Sequence, residues 1–488
     1  MGFDLSSLHE KLKVQSHDTA APSNLVEFML KDWRTPSTGR LKPLKDCANF
    51  KTRREALSKL FPGELLLIPC GHEKVRANDT FFAFRPSSDF YYLTGATQRN
   101  CVLAMVPEDL THRAVFFIQA NAGKTDSTFF SDRVNGELWA GPRLGVDSAR
   151  VLYDINDTRA LGELEEFLKD NVTKSSRGHR IVTGHSAELE RWMGLPTEEQ
   201  ANKNRVLAIA LSEMRLIKDD LEIREISGAI EATHRGFEDM IRRMKTAKSE
   251  RELEGEFYTR ARVEGNDVGY RSIVASGAHA CTLHWSENSG ALRKNDLLLL
   301  DCGVEAHSLY TADVTRTIPI SGKFSKEQRE IYDIVLAAHN AAIRQVVPGN
   351  DFLDPNRAAM NEIATGLEEL GILPMSADEA LKDQNQFYKR YSLHGVSHML
   401  GLDVHDCASA RSENYRYGKL LSGMVLTVEP GLYFQPDDLT VPAKYRGIGI
   451  RIEDDILVTK KGHRILSASL PTQADEIEKW IRSLWKKK

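Results

Sequence analysis

Between Leu297 and Thr317 the chain reads LLLLDCGVEAHSLYTADVTRT, a continuous apolar run that ends on a carboxylate. Four leucines in succession fit a strand buried on both faces, and an acid closing such a strand is costly to bury unless something neutralises it. Thr311, Asp313, Thr315 and Thr317 share one face by the period-two rule, so a hairpin would turn Asp313 toward Asp301. The theme returns downstream. Glu429 follows an apolar run in MVLTVEPGLYF, and in IGIRIED the residues Ile448, Ile450 and Ile452 face one way while Arg451 and Glu453 face the other. HGVSHMLGLDVHD, from His394 to Asp406, adds three histidines to a stretch patterned like interior chain.

Four carboxylates on strands of one sheet beside a histidine cluster are what a pair of divalent cations needs. Two such ions about 3.5–4 Å apart can hold several carboxylates together. Oxygen-rich ligation with one imidazole suits manganese, cobalt or iron better than a thiolate zinc site. A lone strand Asp or Glu is more often a turn cap, an edge charge or an ion-pair partner; four of them beside this cluster are poorly explained that way. The sequence lacks H-E-x-x-H, which disfavours the common single-zinc protease arrangement. Cys302 and Cys407 sit beside candidate residues without a cysteine-protease pattern, so they are read as plain thiols.

At 488 residues the chain is too long for one ordinary core. Residues 1–45 are polar and broken by TAAPSN and RTPSTGRLKP, and read as an arm. Residues 46–205 alternate apolar runs (GELLLIP, CVLAMVP, RAVFFIQ) with helical candidates such as TRALGELEEFLKDNV, which predicts an α/β domain. Residues 206–488 form an α+β domain. Within it Ile223, Ile226, Ile230, Phe237, Met240, Ile241 and Met244 mark one face of a long helix, and SERE (249–252) and SKEQ (325–328) read as capping boxes.

Sixty-five Lys and Arg against 69 Asp and Glu leave a formal charge of -4, which gives no electrostatic reason to expect nucleic acid or an anionic membrane as partner. No apolar run approaches the roughly 20 residues of a membrane span, and the N-terminus lacks a signal-peptide core. The six cysteines are scattered singly, as in a reducing compartment, so a cytoplasmic location is expected.

The order of LLLLDCGVEAHSLYTADVTRT, HGVSHMLGLDVHD, MVLTVEPGLYF and GIGIRIEDDILV resembles the pita-bread metallopeptidases. RPSSDFYYLTG (Arg85–Gly95) and CTLHWSEN (Cys281–Asn288) are similar to aminopeptidase P, whose longer bacterial form SARSENYRYGKLLSGMVLTVEPGLYF also resembles. The resemblance implies a pita-bread catalytic domain behind an α/β creatinase-like N-terminal domain. It also implies two divalent ions, foremost Mn(II), on Asp301, Asp313, His398, Glu429 and Glu453. His284, His394, His405 and Arg451 become catalytic and substrate-contacting groups, Glu429 a proton shuttle, and Tyr91 part of a proline pocket across a subunit boundary. The implied activity is release of the first residue from peptides with proline second, by a homo-oligomer (dimer or tetramer). Prolidase, which takes Xaa-Pro dipeptides, is the alternative; a non-catalytic binding protein on the scaffold is disfavoured because no ligand is missing. Asp301 and Asp313 stand twelve positions apart where shorter relatives have eleven, so a turn around EAHSL one residue longer is expected.

Overall fold

The computed structural model describes residues 22–34 and 41–486 except 79, 122, 133, 173 and 176; of the polar arm, residues 1–21 and 35–40 lie outside the described residues. The chain forms two units, Met1–Leu195 and Pro196–Lys488.

In the first unit the three apolar runs are strands: Leu65–Pro69, Val102–Glu108 and Thr111–Ile118. The last two form an antiparallel hairpin, and Leu65–Pro69 pairs antiparallel with Val102–Glu108. His179–Ile181 and Asp157–Ala160 complete a five-stranded mixed sheet, one at each edge and each parallel to its neighbour. Leu65, Leu67, Val102, Ala104, Val115 and Phe117 pack on one sheet face under Leu164, Phe167 and Leu168. The segment TRALGELEEFLKDNV therefore differs from its helical reading. Thr158 to Ala160 are an edge strand and the α-helix starts only at Leu164. Pairing with Phe116, Phe117 and Ile118 overrides local propensity there.

The second unit contains the long helix Asp220–Met244, started by a reciprocal box between Asp219 and Glu222; Ile226, Ile230, Phe237, Met240, Ile241 and Met244 are buried along it. Ser325 and Gln328 close a second box on Lys326–Gln345. At Ser249 the box is displaced: its hydroxyl accepts from Glu252 N, but the Glu252 carboxylate accepts from Lys248 N instead of Ser249 N.

The strand Leu297–Cys302 lies between Ile273–Ser276 and Val314–Pro319, antiparallel to both, with Asp301 opposite Thr315. The link between Cys302 and Val314 turns where Leu309 N donates to Ala306 O at 2.8 Å. Val425–Val428 pairs with Asp454–Val458, and Gly431–Tyr433 with Gly449–Arg451. Asp313 thus immediately precedes a strand, Glu429 follows one, and Glu453 bridges two. Strand ends deliver every candidate carboxylate to one region.

Candidate active site

Tyr270 shows how tightly the first two acids meet. Its hydroxyl lies 2.6 Å from Asp301 Oδ1 and 2.5 Å from Asp313 Oδ1, so one proton serves both carboxylates. His398 Nε2 is 3.3 Å from Asp313 Oδ2 and 3.5 Å from Glu429 Oε1. Glu453 Oε2 accepts from Thr315 Oγ1 at 2.6 Å. Asp313, His398 and Glu453 each offer one ligand atom within 4.8 Å of the other two. All five residues singled out as metal ligands are brought together.

Electrostatics makes this cluster unfavourable as bare protein. Burial raises the Asp301 carboxyl, Arg451 offsets part of the rise, and Asp313 adds to it. Burial lifts Glu429 to about 7 against the pull of His398, with Asp313 pushing further. Glu453 stands well above its ordinary range, through burial first and then Asp313, Glu429 and Asp301. His398 goes the other way: burial lowers it, but Asp313 and Glu429 together lift it to about 9. Behind the site, Asp455 is also buried; its Oδ2 accepts from Asp313 N at 3.1 Å, and its Oδ1 has no partner among the described residues. Four clustered acids, with Asp455 behind them, against one guanidinium and the His398 imidazole still leave negative charge in excess, and the donor set of carboxylates plus one imidazole fits two hard divalent ions.

Arg451 organises the neighbouring wall. Its Nη1 donates to the Tyr433 hydroxyl at 2.9 Å, its Nε to Thr315 Oγ1 at 3.2 Å, and its Nη2 to Asp301 Oδ2. The Tyr433 hydroxyl lies 2.7 Å from His394 Nε2, and His394 Nδ1 lies 2.9 Å from Gly395 O. A carbonyl only accepts, so Nδ1 carries the proton and Nε2 accepts from Tyr433. Burial, then Arg451, pulls His394 down to about 4, which keeps the ring neutral. His405 meets the His398 ring edge-on, centroids 4.4 Å apart. His284 is exposed, and close enough to His394 and His405 to act electrostatically on both.

Tyr91 is only 7% exposed, its ring edge against Phe50 inside the first unit's core. Cys302 and Cys407 are buried, and burial pushes both thiols up, so neither supplies a thiolate. Tyr270, Thr315, Tyr433 and Asp455 escaped the sequence reading. Only the shared strand face of Thr315 and Asp313 hinted at one of them.

Residues 224–460 match the model of metallopeptidase family M24, and residues 50–182 that of the aminopeptidase P N-terminal domain. Xaa-Pro aminopeptidase 1 of Streptomyces coelicolor is 48% identical over 465 residues, covering 94% of this chain and 92% of that protein. The Xaa-Pro aminopeptidase of Haemophilus influenzae is 36% identical over 88% of this chain and 96% of its own. Among solved structures, E. coli aminopeptidase P with the inhibitor Pro-Leu superposes with a TM-score of 0.81 at 33% identity, covering 91% of this chain and 100% of that one. A zinc-substituted form of the E. coli enzyme in complex with product gives 0.80, likewise at 33% identity, covering 91% and 100%. Fold and site are those of a pita-bread hydrolase with a dinuclear divalent-metal site, preceded by an aminopeptidase P-type N-terminal domain. The chain belongs to metallopeptidase family M24, in the group of the Xaa-Pro aminopeptidases.

Proposed function

We propose that this protein is a metal-dependent aminopeptidase that releases the first residue from peptides carrying proline in second position. The observation that carries the reading is the convergence of Asp301, Asp313, His398, Glu429 and Glu453 into one buried cluster with too little positive charge of its own. These five residues would hold two divalent ions, foremost Mn(II), which when bound supply Lewis acidity and a nucleophilic water at neutral pH.

The chain's own groups do the rest. Glu429 is the candidate for carrying a proton to the leaving nitrogen; its Oε2 lies 3.7 Å from His394 Nδ1. His405 and His284 are the candidates to offer imidazole nitrogens to the scissile amide and to the oxyanion formed on its carbonyl, while His394, with both ring nitrogens engaged by Gly395 O and the Tyr433 hydroxyl, shapes the wall beside Glu429. Arg451 fixes Asp301 and Tyr433, and through Tyr433 the tautomer of His394. An Xaa-Pro bond has no amide hydrogen, so the site must orient its substrate by the ring, the carbonyl and the free amino group.

Aminopeptidase action is preferred to prolidase action because proteins matched along 94% of this chain are named Xaa-Pro aminopeptidases. A homo-oligomer and a cytoplasmic location complete the proposal. The second is supported by six cysteines that are all buried and unpaired. No helix among the described residues is long and apolar enough to cross a membrane.

The test offers Arg-Pro-Pro and the dipeptide Arg-Pro to protein purified with Mn(II). Free arginine from the tripeptide is the expected result. Cleavage of the dipeptide alone would indicate prolidase, and no release under any of several divalent metals would refute the enzymatic reading.

A further inference from the structure

Glu250, the second residue of SERE, is fully buried at the first turn of the helix Glu250–Glu264. Its side chain does not serve the cap. Oε1 accepts from Ser276 N at 2.7 Å and from His279 Nδ1 at 2.8 Å; Oε2 accepts from Trp285 Nε1 at 2.8 Å and from Gly290 N at 2.6 Å. The Glu250 backbone N–H adds a bond to Gly290 O at 2.9 Å. A buried carboxylate with two donors on each oxygen is fully satisfied, and its charge strengthens each bond.

All four donors lie between Ser276 and Gly290, a stretch whose only regular structure beyond the strand end is the short 3₁₀ turn Gly277–Cys281. His284 sits within it. The imidazole of His284 makes no hydrogen bond among the described residues, so the chain on either side determines where it stands. Trp285, the next residue, is held twice, by Glu250 and by a stack on the His279 ring at 3.9 Å. The approach at Gly290 is so close that a Cβ there would lie 2.5 Å from Glu250 Oε1. Asn288, also fully buried, anchors the far end through Ser272 O and Val274 N.

We infer that Glu250 is a positioning residue for the proposed peptidase reaction: by gathering Ser276, His279, Trp285 and Gly290 it fixes His284 beside His394 and His405. The inference rests on the proposed activity. A displacement of about 1 Å in a reacting group can cost about 10²-fold in rate. Glutamine at position 250 keeps the shape but sets an NH2 against two of the four donors.

The test compares Glu250→Gln, Trp285→Phe and His284→Ala, alone and with each of the first two combined with the third, in protein loaded with Mn(II). Glu250→Gln is expected to lower kcat/KM on Arg-Pro-Pro by about 10²-fold with wild-type metal content. In the His284→Ala background it should change the rate by no more than about twofold, since residues acting through one another are not additive. Trp285→Phe, which removes one donor and keeps the ring, should give a smaller loss that vanishes in the same background. Hydrogen exchange should quicken across 276–290 in both variants. Wild-type rates in Glu250→Gln, losses that multiply with His284→Ala, or loss of metal would overturn the inference. If Glu250→Gln does not fold, Trp285→Phe decides by the same criteria. A wild-type protein inactive on every Xaa-Pro peptide refutes the proposed function instead, and the exchange data then judge the positioning alone.

Discussion

Asp406→Asn should lower the unfolding free energy by about 3–5 kcal/mol, the usual cost of leaving a buried charge without its partner. The Asp406 side chain is 1% exposed and accepts from Lys218 Nζ at 3.0 Å and Arg215 Nε at 3.1 Å. Lys218 is itself completely buried. Asparagine keeps one acceptor oxygen but removes the charge on which both cations converge. With an m-value of about 3 kcal/mol/M, the urea midpoint should fall by about 1 M or more. The pH dependence has a definite sign. Burial alone would raise the Asp406 carboxyl, but Lys218 and Arg215 outweigh it, and its folded value lies below the ordinary one. Its stabilisation is therefore complete above the unfolded carboxylate value of about 3.9 and disappears as pH falls through the depressed folded value. Urea unfolding of metal-free wild type and variant should show a constant gap from pH 7 to about 5, narrowing below about 4. A gap under about 1 kcal/mol at pH 7, or one that widens on acidification, would refute the buried-charge argument.

Glu453→Ala should abolish turnover and reduce bound metal. Its metal-free form should nevertheless melt no lower than metal-free wild type, because the deleted acid is held well above its ordinary range by burial and by Asp313, Glu429 and Asp301; elemental analysis and calorimetry in chelator check both halves, and retained turnover would remove Glu453 from the ligand set. Gly303→Ala should destabilise the protein by about 1–3 kcal/mol or more by overpacking, since a Cβ there would lie 1.8 Å from Ala312 O. Metal content should fall with it, because that close approach brings Asp301 and Asp313 together; a variant with wild-type melting and metal would contradict the packing argument.

Residues whose role follows from local pattern were legible. Asp301 stood out because it closes a leucine run, Asp313 because of its parity with Thr315, and His398 because of its clustered neighbours. Residues whose role depends on a distant partner were not. Asp406 meets Lys218 across 188 positions, and Thr315 meets Glu453 across 138. Tyr270 lies in NDVGYRS, where no periodicity marks it, yet its hydroxyl joins two acids that the fold alone brings within reach. Glu250 is hidden by the cap beside it: SERE reads as a box of Ser249 and Glu252, while Glu250, the first of the two residues between them, turns inward to Trp285 and Gly290. The edge strand Asp157–Ala160 was missed for the same reason, since its hydrogen bonds come from Val115 to Ile118 and leave no local trace.

Crystals grown with Mn(II) and measured at the manganese absorption edge examine the clustered acids directly. Two anomalous peaks per chain, about 3.5–4 Å apart among Asp301, Asp313, His398, Glu429 and Glu453, are the expected result. No peak among these side chains in protein that cleaves Arg-Pro-Pro would contradict a dinuclear centre at this site.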